Sequence, residues 1–89
     1  MKHCIAILVE NDMGEWRAVF PDLPDCEARG FSVEDVKFAA ESAVRKYVHD
    51  NRLPPSPIDM SAIERDRDWL TRNNVDLSKA VVTMIQLNG

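Results

Sequence analysis

Residues 20–36 constrain the fold of this chain more than any other stretch. Phe20-Pro21-Asp22-Leu23-Pro24-Asp25-Cys26 places two prolines three residues apart, and Gly30-Phe31-Ser32-Val33-Glu34-Asp35-Val36 follows almost at once. Each proline holds φ near −65° and removes a backbone donor, so the chain must leave one strand, turn, and enter another between Val19 and Cys26. Ser32 is placed to cap a helix, Asp35 stands three residues on as the acid of a capping box, and Phe31 and Val36 have hydrophobic-staple spacing. The helix is predicted to begin at Val33. Phe20, Pro21, Pro24, Gly30, Ser32 and Asp35 are read as structural, with Gly30 supplying an unusual backbone angle before the helix.

The flanking segments fit this frame. Residues 3–10 are apolar almost without interruption, the signature of a central strand covered on both faces. Asn11-Asp12-Met13-Gly14 is turn chemistry, and 15–20 resume an extended pattern with Trp16, Ala18 and Phe20 on one side, which predicts a β-hairpin. A short third strand spans 26–30. From Val33 to about Asp50, apolar residues recur at Val36, Ala39, Ala40, Ala43, Val44, Tyr47 and Val48, the stripe of a helix packed on one side. Phe38 falls on its polar side, either as an isolated exposed aromatic or as an anchor for another subunit.

Pro54-Pro55-Ser56-Pro57 ends that helix, and Ser61-x-x-Glu64 is read as the cap of a second, charged helix over 61–73 with Ile63, Trp69 and Leu70 as its apolar contacts. Residues 79–87 form a last strand. The order β-β-β-α-(α)-β predicts a single α+β domain over 1–89: an antiparallel three-stranded meander, a helix on one sheet face, and a fourth strand parallel to the first, in spatial order 3-2-1-4. That fourth strand is an edge. An apolar edge needs cover, so Val82 and Met84, with Phe38, are candidate contacts between subunits. Symmetry favours a dimer, with a tetramer as the larger option.

The formal net charge of −4 argues against binding nucleic-acid phosphates and suits a basic partner. The apolar N-terminal run is too short for a signal peptide core, and no run reaches membrane-spanning length, so the expected location is cytoplasmic. Cys4 and Cys26 form no CxxC motif and are read as reduced, packed thiols. His3, Cys4, Cys26 and His49 are zinc-ligand types without ligand spacing, so neither metal nor cofactor is expected.

The FPDLPDC turn and the GFSVEDV helix start resemble the HicB family of bacterial antitoxins, whose turn reads Phe-Pro-Asp-Leu-Pro-Gly-Cys and whose helix opens Gly-x-Thr/Ser-x-Glu-Glu/Asp-Ala. Phe20, Pro21, Asp22, Leu23, Pro24 and Cys26 match, as do Gly30, Ser32, Glu34, Asp35 and Pro55-Ser56-Pro57. Asp25 stands where the family has glycine and Val36 where it has alanine. The match covers residues 14–57, and beyond 58 only the layout agrees.

The resemblance implies a partial RNase H-like fold that binds and blocks a small basic mRNA-cleaving toxin of the HicA type. It also implies a C-terminal DNA-binding segment, but no such segment follows strand 4, so direct DNA binding is not expected. Acidic residues Glu10, Asp12, Asp22, Asp25 and Glu27 are the candidate contacts to a basic toxin. The alternatives are an orphan HicB-like oligomeric module with another partner, and a metal-dependent nuclease built on the same carboxylates. The second needs acids converging from several elements, whereas most of these lie in turns. The expectation is a non-enzymatic binding protein.

Overall fold

The structure, a computed structural model, describes residues 2–23, 26–50 and 60–87. Pro24, Asp25 and the segment Pro54-Pro55-Ser56-Pro57 lie outside the described residues. The elements are β1 (Lys2–Glu10), β2 (Trp16–Val19), β3 (Glu27–Gly30), α1 (Val33–Asp50), α2 (Met60–Arg65), α3 (Arg67–Arg72) and β4 (Val81–Leu87). The four strands make one sheet in the order β3-β2-β1-β4, as expected.

β1 is central and is buried on both faces: from Cys4 to Leu8 no residue is more than 3% exposed. Alternate residues of a strand face opposite ways, so β1 contributes to two cores. Cys4, Ala6 and Leu8 join Ala18 and Phe20 of the next segment and meet Val36, Ala40 and Val44 of α1. All seven stripe positions predicted for α1 lie in this first core or pack against it. Ile5, Ile7 and Val9 face the other way and, with Val19, pack on Ile63 of α2 and Leu70 of α3. The sheet is therefore covered by helices on both faces. The expectation of a helix on one sheet face is corrected.

The direction of β4 is also corrected. It pairs antiparallel to β1, with Leu8 opposite Val81 and Lys2 opposite Leu87, so all four strands alternate in direction. A parallel fourth strand requires one helical pass after β3. Here α1 makes one pass over the first face and the segment from Met60 onward lies over the second, so the chain re-enters at the end where β1 finishes.

Local chemistry explains the turns. In the β1–β2 hairpin the Asn11 side-chain oxygen accepts from the backbone N–H groups of Met13 and Glu15, both at 2.9 Å. Gly14 follows at φ 81°, the left-handed residue that this hairpin geometry requires. In the proline turn the Leu23 N–H donates to the Phe20 carbonyl at 3.2 Å with Pro21 at the second turn position, which drives Phe20 and Leu23 into the first core.

At the start of α1 the Ser32 hydroxyl accepts from the Asp35 N–H at 3.1 Å, so Ser32 is the N-cap. The hydrophobic staple does not form: Val36 is fully buried but Phe31 is 80% exposed. Gly30 is needed for a reason other than the one expected. Its φ is not positive; instead an added Cβ would lie 2.5 Å from the Val36 nitrogen and 2.8 Å from the Asp35 carbonyl carbon. Glycine lets the last residue of β3 touch the first turn of α1.

The second helical stretch differs from the predicted single helix over 61–73. α2 includes Met60, so Ser61 lies inside the helix and is not its cap. The stretch also breaks at Asp66, whose carboxylate accepts from the Trp69 N–H at 3.1 Å and caps a new helix. α3 ends in a Schellman arrangement. Val75 N–H donates to the Leu70 carbonyl and Asn74 N–H to that of Thr71, with Asn74 at φ 55°. The Arg17 guanidinium then donates to the carbonyls of Asn73 and Asn74, placing a cation from β2 at the negative end of α3.

Candidate functional site

The register of the sheet decides which acidic residues can act together. Glu10 pairs with Trp16, and Trp16 pairs with Gly30, so these three lie in one row across β1, β2 and β3. With strands spaced roughly 4.8 Å apart, Glu10 stands about 10 Å from the residue that leads into α1. The hairpin and the N-terminus of α1 thus occupy the same end of the molecule. Glu10, Asp12, Glu15, Glu34 and Asp35 gather there, and neither 10–16 nor 30–36 contains a lysine or arginine.

Three large apolar side chains stand out among these carboxylates. Met13 at the hairpin tip is 90% exposed, Phe31 just before α1 is 80% exposed, and Phe38 in its second turn is 71% exposed. Scattered surface hydrophobics are ordinary, but large exposed apolar side chains close to carboxylates are the makings of a docking surface, with Lys37 the one base adjoining Phe38. Glu34 and Asp35 are also favoured where they are, because the first turn of a helix carries positive partial charge.

The other expected contact residues lie elsewhere. Asp22 and Glu27 are at the opposite end of β2, by the proline turn, and Asp25 lies outside the described residues. Asp22 is only 8% exposed, so its carboxylate faces the interior. Glu27 is exposed and pairs with Arg29 at 3.4 Å on the edge strand β3. Of the five acids named from sequence, the four that are described divide, Glu10 and Asp12 lying at the acidic end and Asp22 and Glu27 at the other. Sequence reading missed Glu15, Glu34, Asp35, Met13 and Phe31 as members of the acidic end. The absence of basic residues from both segments was the signal available.

The three residues expected at a subunit contact are likewise divided. Phe38 lies on α1, over one sheet face. Val82 and Met84 stand beside Ile7 and Ile5 on the other face, 41% and 58% exposed.

The thiols have the character of core residues. Cys4 is fully buried, and burial, with Asp22 and Cys26 nearby, pushes its pKa up to about 12. Burial also raises the half-buried Cys26. Both stay protonated at neutral pH, the opposite of what a nucleophile or metal ligand needs. His3 lies next to Cys4 along β1 and so faces the other side of the sheet. Among the described residues, no three His, Cys, Asp or Glu side chains are grouped to hold a metal ion. No helix among them is long and apolar enough to cross a membrane.

No family model matches the sequence, and no curated protein does. Solved structures do match. The chain superposes on the N-terminal domain of the Burkholderia pseudomallei antitoxin HicB with a TM-score of 0.76 at 11% identity, covering 98% of this chain and 99% of that one. Against the longer B. pseudomallei HicB structure the TM-score is 0.77 at 12% identity, with 99% of this chain and 63% of that one covered. A chain of the HicA3 and HicB3 toxin-antitoxin complex matches at a TM-score of 0.65 and 17% identity, over 98% of this chain and 99% of that one. Over nearly its whole length, then, this chain has the fold of the HicB antitoxin N-terminal domain.

Proposed function

We propose that this chain is the neutralising component of a toxin-antitoxin pair, a non-enzymatic module that captures a small basic toxin of the HicA type and covers its active surface. The observation that carries this reading is the fold likeness over almost the full chain to antitoxin HicB, and to a chain from a complex that holds both HicA3 and HicB3. The acidic end is the surface we assign to the toxin. Its five carboxylates would steer a basic protein toward Met13, Phe31 and Phe38, which would supply the desolvated contact.

Charge there acts mainly on the association rate, and the apolar tips on the lifetime of the complex. Charge reversal at Glu10, Asp12 and Glu34 is expected to slow association with a HicA-type toxin at least tenfold and to weaken its salt dependence. Phe31→Ser with Phe38→Ser is expected to raise the dissociation rate instead. Surface plasmon resonance with an active-site-inactivated HicA-type protein encoded beside this gene separates the two. Undiminished binding by both variants would remove the acidic end from the toxin contact.

A further inference from the structure

A cleft of about 230 Å³ lies beside β2, between the proline turn and α3, where parts of the chain distant in sequence converge. Pockets for drug-sized ligands run roughly 300–1,000 Å³, so only a smaller molecule fits. Its floor is apolar. Val19, Phe20 and Leu23 are buried there, and the half-buried Cys26 and Trp69 line the walls.

Two opposite charges border this floor, Arg17 from β2 and Glu27 from β3. Arg17 stands opposite Arg29 and Val19 opposite Glu27, so Arg17 and Glu27 are diagonal neighbours on one sheet face. Their Cβ atoms are roughly 7 Å apart. Each is anchored elsewhere: the Arg17 guanidinium donates to the carbonyls of Asn73 and Asn74, and the Glu27 carboxylate pairs with Arg29 at 3.4 Å. A guanidinium carries five N–H donors and a carboxylate about four acceptor positions, so both keep capacity for a ligand.

We propose that this cleft binds a free α-amino acid with an apolar side chain, its carboxylate on Arg17, its ammonium on Glu27, and its side chain on the floor between them. A simple carboxylic acid would set an anion beside Glu27, and a simple amine a cation beside Arg17. A zwitterion suits both signs, and its two contacts are charge-assisted hydrogen bonds, the stronger kind. The apolar floor then selects among amino acids by side chain. Because Trp69 belongs to α3 and Arg17 to the sheet, the ligand braces a six-residue helix against β2. The cleft shares no residue with the acidic end, so the proposal stands or falls apart from the antitoxin reading.

Cys26 reports occupancy, because it lines the cleft while Cys4 is fully buried. Alkylation of the full chain by iodoacetamide, read by mass spectrometry, is expected to slow severalfold at Cys26 in millimolar leucine, methionine or phenylalanine. N-acetyl-leucine, which lacks the ammonium, and leucinamide, which lacks the carboxylate, are expected to leave the rate unchanged. Glu27→Gln, at an exposed position, is expected to abolish protection by leucine while keeping the far-UV circular dichroism spectrum. Protection by none of the three amino acids, equal protection by leucine and its two blocked forms, or undiminished protection of the Glu27→Gln variant would each overturn the site. If Cys26 resists alkylation in the free chain, the melting temperature decides: leucine must raise it and the blocked forms must not, and a temperature that leucine leaves unmoved overturns the proposal.

Discussion

At the scale of single residues, the least replaceable position is one without a side chain. Gly30 abuts the backbone of Asp35 and Val36, which cannot yield as a flexible side chain can. Gly30→Ala is expected to cost about 1–3 kcal/mol through overpacking, measured by urea denaturation. Ser32→Ala, which removes the cap on the Asp35 N–H, should cost on the order of 1 kcal/mol. Equal effects of the two, or none, would mean that the strand-to-helix corner tolerates rearrangement.

Cys4 sets a pH dependence at the same scale. Its thiol titrates near 12 in the folded chain and near 9 as an ordinary thiol. The folded state therefore holds a proton that the unfolded state releases, and stability should fall as pH rises from about 9 toward 12. Below 9 the group contributes no slope. Cys4→Ala, though less stable at neutral pH, should lose less stability over that alkaline range than the wild type does. Parallel slopes would show that the thiol is not responsible.

At the scale of elements, the parts legible in the sequence were those whose patterns are local. The unbroken apolar run of β1 announced burial on both faces, and the spacing from Val36 to Val48 announced which side of α1 is packed. The direction of β4 was not legible, because it depends on how many times the chain crosses the sheet between β3 and β4. That count is decided by α2 and α3, whose apolar contacts are few: Ile63 and Leu70 are their buried residues. Ser61 looked like a cap because its spacing to Glu64 fits one, whereas Asp66 caps the second of two short helices.

Six-residue helices are marginal on their own and depend on tertiary contacts. Arg17 is therefore expected to hold α3 in place from the sheet. Arg17→Ala should speed amide exchange across Leu70–Val75 at least tenfold while leaving α1 unchanged. Uniform acceleration over the whole chain would instead make Arg17 a global stabiliser.

At the scale of the whole molecule, the chain's own helices lie on both sheet faces, and on the second face they leave Val82 and Met84 of β4 exposed. The end that joins the hairpin to α1 is acidic with apolar tips, and the β4 edge is uncharged. The acidic end is the one suited to a basic partner. Two of the five carboxylates at the acidic end, Glu10 and Asp12, could be read from sequence. The rest became visible only when the register placed Glu10, Trp16 and Gly30 in one row. The same register sent Asp22 and Glu27 to the far end.

The most direct measurement is affinity capture on the tagged chain from extract of its native cells, read by mass spectrometry beside the Phe31→Ser, Phe38→Ser variant. A small basic HicA-type protein recovered in stoichiometric amount on the wild type and lost on the variant is the predicted result. Recovery of the chain with copies of itself alone, or equal recovery of the basic protein on both, would contradict the account.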